Sequence, residues 1–130
     1  MTTIFTKIIN GEIPCHKIAE DDNHFAFLDI MPLRTGHVLV IPKQPIDYIF
    51  DLEPEALAAL NVFAQKMAKA VKSAIKCTRI GVAVIGLEVP HAHIHLIPMH
   101  HVSDMDFTRP KMKPSQEELS ETARLIREFL

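Results

Sequence analysis

The most constraining stretch of this chain is seven residues long: His91-Ala92-His93-Ile94-His95-Leu96-Ile97, closed by Pro90 and Pro98. Seven residues between two prolines are too few for a stable helix, and strict polar–apolar alternation has the period of a strand. Alternate strand residues share a face, so His91, His93 and His95 take one side while Ala92, Ile94 and Leu96 take the other. Their Cα atoms then lie about 6.5–7 Å apart, twice the strand rise. Five of the eight histidines fall between residues 91 and 101.

Three readings of that array are open. The histidines are three polar positions on the solvent face of an edge strand. Or they are ligands for zinc or copper, completed by His100 or His101, since neutral imidazole binds both metals. Or they perform nucleophilic and acid–base chemistry on a phosphate, which imidazole can do near neutral pH without a metal.

The rest of the chain supplies a frame for such a strand. Ile4 to Ile9 is a short apolar segment ended by the turn signal Asn10-Gly11. Phe25 to Asp29 and His37 to Ile41 read as strands joined by Met31-Pro32-Leu33-Arg34-Thr35-Gly36, with Pro42 ending the second. From Pro54 to about Ala74 the apolar residues Leu57, Leu60, Ala64, Met67, Val71 and Ala74 recur at helical spacing. Arg79 to Gly86 and His91 to Ile97 are two further strands. Ser115-Gln116-Glu117-Glu118 is a capping box opening a last helix with the stripe Leu119, Thr122/Ala123, Ile126 and Phe129/Leu130. Strands, helix, strands and helix with short connections predict a single α+β domain over residues 1–130 with a largely antiparallel sheet. No glycine-rich phosphate loop of the dinucleotide-binding or P-loop kind is present.

Composition removes several partners. Fourteen Lys+Arg against sixteen Asp+Glu leave a formal charge of −2 with the histidines neutral, and no two basic residues are adjacent. With no Trp and one Tyr, neither a basic footprint nor a base-stacking platform for nucleic acid is expected. No stretch reaches the roughly 18 uninterrupted apolar residues of a membrane span. Cys15 and Cys77 form neither a metal motif nor a disulfide framework, so both are expected as buried, inert thiols. The start of the chain lacks the pattern of a signal peptide, and a cytoplasmic protein is expected.

The segment His91-Ala-His-Ile-His-Leu-Ile has the His-φ-His-φ-His-φ-φ form of the histidine triad (HIT) superfamily. Ile4-Phe5-Thr6-Lys7-Ile8-Ile9-Asn10-Gly11-Glu12-Ile13-Pro14, Phe25-Ala-Phe-Leu-Asp29-Ile30 and Gly36-His37-Val-Leu-Val-Ile-Pro-Lys43 extend the match upstream. Over about residues 4–98 the chain resembles the Hint-like branch of that superfamily, with 99–130 as a C-terminal extension. The resemblance implies a HIT-like fold with one long central helix and a C-terminal helix. It also implies a homodimer that binds a purine nucleotide or nucleotide conjugate. The implied activity is cleavage at the α-phosphate of a nucleoside 5′-phosphate derivative, of the phosphoramidate type, through a nucleotidyl-histidine intermediate and without metal or other cofactor.

Residue by residue, the resemblance makes His93 the nucleophile, with His91 and His95 as phosphate donors and His37 as support from a neighbouring strand. Asp29 is expected to hold the ribose hydroxyls, and Phe5, Ile8, Ile13, Phe27 and Ile30 to enclose the base. His37, His91, His93 and His95 are expected to share protons as a coupled set and make the pocket locally positive. Two departures stand out. Thr3-Ile4-Phe5-Thr6 replaces the Cys-x-x-Cys of zinc-holding relatives, and Gln44-Pro45 replaces a later histidine. The polar, glycine-rich segment before the triad is here the apolar Val82–Pro90, with Glu88 where a small hydroxyl is expected. Glu88 therefore either points away or contacts a cationic leaving group. A nucleotide-binding regulator with weak turnover, or a metal-binding protein, are the alternatives. Between Met99 and Pro114, Arg109, Lys111 and Lys113 could reach a phosphate, although a solvated linker is the plainer reading.

Overall fold

The computed structural model describes residues 1–130 as a five-stranded sheet with three helices. The elements are helix α1 (Ile4–Ile9), strands β1 (Lys17–Glu20), β2 (His24–Leu28) and β3 (Val38–Pro42), and helix α2 (Pro54–Ala74). Strands β4 (Arg79–Ala83) and β5 (Ile94–Met99) and helix α3 (Gln116–Arg127) complete it. Neighbouring strands run antiparallel in the order β1-β2-β3-β5-β4, leaving β1 and β4 as edges. This is the expected α+β fold, with α2 matching its sequence limits and Pro54 seated in its first turn.

Two elements escaped the pattern. Ile4–Ile9 is a helix, started by Thr3, whose hydroxyl accepts the Thr6 N–H while Thr6 returns the bond to the Thr3 N–H. A Thr-x-x-Thr box lacks the Glu or Gln of the usual signature, and six residues show too little periodicity to declare a helix. Strand β1 is four residues with one buried side chain, Ile18, too short to stand out as a pattern.

Other boundaries move for physical reasons. Strand β4 ends at Ala83, three residues before the expected Gly86. Strand β5 starts at Ile94 and not at His91, because the Ala92 N–H bonds the Ile46 carbonyl at 2.6 Å instead of a neighbouring strand. At the other end β5 runs through Pro98, which lies beyond the last β3 pairing, Val38–Leu96, so its missing N–H breaks no bond there. Cys15 and Cys77 are only half-buried, contrary to expectation.

The sheet is covered on both faces. One face, with Ala26, Leu28, Val38, Val40, Ile94 and Leu96, packs against Leu60, Phe63, Met67 and Val71 of α2. The opposite face carries Phe25, Phe27, Leu39 and Ile41 and is closed by Phe5 of α1. Strands β2 and β3 are therefore buried along their whole length, and their sequences read as continuous apolar runs. Because β5 alternates, Ile94 and Leu96 join the α2 side while His95 stands beside its β3 partner Leu39 on the α1 side.

Helix α3 brings Leu119, Ala123 and Ile126 into the same core as α2, whereas Phe129 and Leu130, also in the expected stripe, stay exposed beyond the helix end. Ile126 is fully buried. Ile126→Ala should lower unfolding free energy by about 2–5 kcal/mol, as buried aliphatic truncations do. Urea denaturation followed by far-UV circular dichroism would measure this. A cost near zero would mean that the helix is not part of the cooperative core.

Candidate active site

The α1 face of the sheet gathers the histidines. His37 comes from the residue before β3, His95 from β5, and His91 and His93 from the chain entering β5. All four are buried. Gly36 sets the approach to His37: its φ is +92°, and a Cβ there would lie 2.9 Å from Ile75 Cγ1, so only glycine fits. Phe5 of α1 meets the His91 and His93 rings edge-on, with centroids 5.6 and 5.1 Å away.

Hydrogen-bond partners fix which nitrogen of each ring carries a proton. The Leu33 backbone N–H donates to His37 Nδ1 at 3.1 Å, so the His37 proton is on Nε2. That Nε2–H donates to His95 Nδ1 at 2.9 Å, so the His95 proton is on Nε2. His93 Nδ1–H donates to the His91 carbonyl at 2.7 Å, which in the neutral ring leaves a lone pair on His93 Nε2. The His93 and His95 rings lie 4.9 Å apart. A lone pair on one ring and an N–H on its neighbour are thus both uncommitted within the protein.

His91 differs. Its Nε2–H donates to the Pro42 carbonyl at 2.8 Å, and its Nδ1 accepts the Thr3 hydroxyl at 2.7 Å. With both nitrogens engaged and the ring fully buried, His91 cannot be the phosphate donor expected of it. It ties α1 to β3 and holds the carbonyl that orients His93. Sequence reading overlooked Thr3, whose buried hydroxyl looked like a missing zinc ligand.

Burial also changes the electrostatics. Desolvation pushes His37 down to about 3 and His95 down to about 4, each helped by neighbouring charge that includes Lys111, and burial lowers His91 as well. These three rings are neutral near pH 7, so His37, His91 and His95 do not supply the positive charge expected of the histidine set. Burial raises the Asp29 carboxyl, opposed first by the Met31 N–H that its Oδ1 accepts at 2.9 Å. Its Oδ2 lies 3.8 Å from His37 Nε2.

The other expected site residues divide. Phe5 and Phe27 form an edge-to-face pair 5.5 Å apart inside the α1-side cluster, with Ile8 packed against it. Ile13 is half-buried outside that cluster, and Ile30 is 57% exposed, so neither is a closed wall in the unliganded protein. Glu88 is exposed and acts on the site only by raising Asp29. Phe107, which no periodicity pointed to, stands edge-on to His95 at 4.8 Å. Arg109 is spent on the Ser103 carbonyl at 2.7 Å.

Asp29, His37 and His95 bring ligand atoms within 4.8 Å of one another. The Leu33 N–H aimed at His37 Nδ1 opposes a metal on Nε2, because the ring would then need to be an imidazolate. His91 has no free nitrogen, and the exposed His100 bonds Thr78 at 2.9 Å, so the alternative of a metal held by His91, His93, His95 and His100 is not assembled.

The family model described as the HIT domain matches residues 10–102. The chain belongs to the HIT family. A crystal structure of a HIT-like protein from Bartonella henselae is similar, with TM-score 0.85 and 36% identity over 99% of this chain and 97% of that one. A zinc-bound histidine triad protein from Mycobacterium smegmatis has TM-score 0.83 and 29% identity over 99% and 93%. A Schizosaccharomyces pombe protein named adenosine 5′-monophosphoramidase is 37% identical over 99 residues, 75% of this chain and 74% of that one. Structural zinc of the Cys-x-x-Cys type does not fit this HIT chain. Thr3 and Thr6 offer hydroxyls 3.1 Å apart that already bond each other, and hydroxyls are not the thiolate or imidazole donors such sites use.

Neutral buried imidazoles have a consequence for stability. The unfolded histidines titrate near 6.5, the folded His37 and His95 near 3 and 4, so between those values the unfolded chain binds more protons. Stability is therefore fully present above about pH 6.5 and falls as pH drops toward 4, with Asp29's raised carboxyl giving a smaller opposite change near the lower end. Scanning calorimetry should show a melting temperature several degrees lower at about pH 5 than at pH 7.5, and a flatter profile for His37→Asn. Identical profiles would contradict the neutral assignment.

Proposed function

We propose that this HIT protein hydrolyses nucleoside 5′-phosphate derivatives bearing a leaving group on the α-phosphate, with purine nucleoside phosphoramidates as the leading type. The observation that carries this reading is the pair of uncommitted ring atoms, the His93 Nε2 lone pair beside the His95 Nε2–H. The phosphoramidase name of the fungal relative supports the substrate class.

In this reading His93 Nε2 attacks the α-phosphorus and the bond to the leaving nitrogen breaks. The departing nitrogen takes its proton from solvent and leaves as the amine, while the His95 Nε2–H, keeping its proton, hydrogen-bonds the electron pair left by the breaking bond. Water then cleaves the nucleotidyl-histidine bond, releasing the nucleoside monophosphate, a proton to solvent and the free His93 imidazole. His91 acts earlier and at a distance, through the carbonyl that keeps Nδ1 of His93 protonated and Nε2 free. His37 orders the His95 tautomer, and Asp29, with Oδ1 accepting the Met31 N–H and Oδ2 without a hydrogen bond, has acceptor capacity that suits a ribose diol. Phe5, Phe27 and Ile8 are the apolar wall for the base, and Ile13 and Ile30 would be covered when it binds. No step needs a metal.

The apolar Val84–Pro90 stretch before the triad favours a second reading, a nucleotide-binding regulator with weak turnover, since few side chains there can assist a leaving group. Chelator-treated protein incubated with an AMP phosphoramidate, alongside His93→Ala, separates the two. Turnover is expected in the parent and reduced on the order of 1,000-fold or more in the variant. Tight AMP binding without turnover would identify the regulator, and activity returning only with added zinc would sink the metal-free mechanism.

The same reading includes a homodimer. Strand β4 is an unpaired edge, and Val82, Val84, Ile85 and Leu87 along and just beyond it are exposed. An edge of this kind is self-complementary across a two-fold axis. Sedimentation should give twice the 14.7 kDa chain mass, falling to the single mass in Val82→Lys/Leu87→Lys. A monomeric parent would overturn the assignment.

A further inference from the structure

The chain between β5 and α3 is tied down at both ends. At the start, the buried Asp104 carboxylate accepts the His100 and His101 N–H groups at 2.8 and 3.0 Å and pairs with Arg34 at 3.2 Å. At the end, the Met112 N–H donates to the Pro32 carbonyl at 2.9 Å, beside the loop that supplies His37. A strap anchored at residues 104 and 112 has little freedom between them. What it holds over the site is specific.

Phe107 stands edge-on to both His95 and His37, with centroids 4.8 and 6.3 Å away, and excludes water from the side of that pair. Lys111 is half-buried, and its Nζ donates to the Phe107 carbonyl at 3.2 Å. An ammonium has three N–H donors, and this bond uses one. The charge of Lys111 lowers Asp29, His37 and His95 alike. Arg109 is folded back onto Ser103 and Asp104, and Lys113 is exposed.

We propose that Lys111, held by the Phe107 strap beside His95, is a specificity-determining residue that binds an anionic group on the leaving-group side of the substrate. This inference rests on the nucleotide reading above and deepens it. The reacting histidine, His93, approaches the phosphorus from one side, and His95 carries the N–H for the departing atom. Lys111 is bonded to the backbone of the residue whose ring covers His95, so a group departing past His95 meets it. With His37 and His95 neutral, the positive charge on their side is that of Lys111. The ligand chemistry is an anion attached through the α-phosphate, either a further phosphate or the carboxylate of an amino acid joined through nitrogen.

Calorimetry with AMP and ADP tests this without requiring turnover. The parent should bind ADP about tenfold tighter than AMP, the scale of one charge-assisted contact. Lys111→Met should bring that ratio to about one while AMP affinity stays within about threefold, and Lys111→Arg should keep the preference. Retained AMP binding also shows that the variant folds. In a second arm, turnover of AMP joined through nitrogen to glycine is compared with that of AMP joined to ethylamine. Loss confined to the glycine conjugate in Lys111→Met assigns the site to carboxylates, and loss confined to ADP assigns it to phosphate. Equal weakening of AMP and ADP would place Lys111 on the α-phosphate and overturn the proposal, as would no change in the ratio. A parent that binds neither nucleotide would refute the nucleotide reading itself and this inference with it.

Discussion

Burial of imidazole in the second face of the sheet governs the rest of this structure. A charged ring there would have to leave water, and the nearby Asp29 carboxylate, itself pushed toward its neutral form by burial, does not offset that cost, so His37 and His95 are held neutral well below their ordinary range. A neutral ring has one donor and one acceptor. Backbone partners then decide which is which: the Leu33 N–H orders His37, His37 orders His95, and the His91 carbonyl orders His93. Four histidines that are chemically identical in the chain become a support, a ring with a free N–H, a ring with a free lone pair and a strut.

That ordering depends on a sheet with two covered faces. Helices α2 and α3 bury one face with ordinary aliphatic packing, while the other is closed by a six-residue helix and a strap from the C-terminal region. The short helix is held by its own capping box and by the bond from Thr3 to His91, so α1, the pocket wall and the triad form one unit. Side-chain nitrogens and oxygens sealed from solvent must be paired, and none lacks a partner; the uncommitted Nε2 atoms of His93 and His95 are not among the sealed ones.

Much of this was legible beforehand because it is local. The α2 limits follow from Pro54 and three-to-four spacing, the start of α3 from Ser115 and Glu118, and the strands from runs of Phe, Val and Ile. The triad residues and His37 were legible from alternation and from the resemblance. The roles within the triad were not: His91 looks like its neighbours in sequence, and only the Pro42 carbonyl and Thr3, 49 and 88 residues away, remove it from the phosphate. Lys111 was one of three bases in a connection, and nothing local distinguishes it from Arg109 or Lys113.

The sequence by itself determined the class of fold, the family and the set of imidazoles, because hydrophobic period, turn chemistry and an alternating His pattern act over a few residues. The tertiary structure alone decided which nitrogen is free, which histidine is a strut, and which lysine is bonded to the segment covering His95. Those are questions of protonation and direction, and they are answered by backbone groups and helices that reach the site from distant parts of the chain.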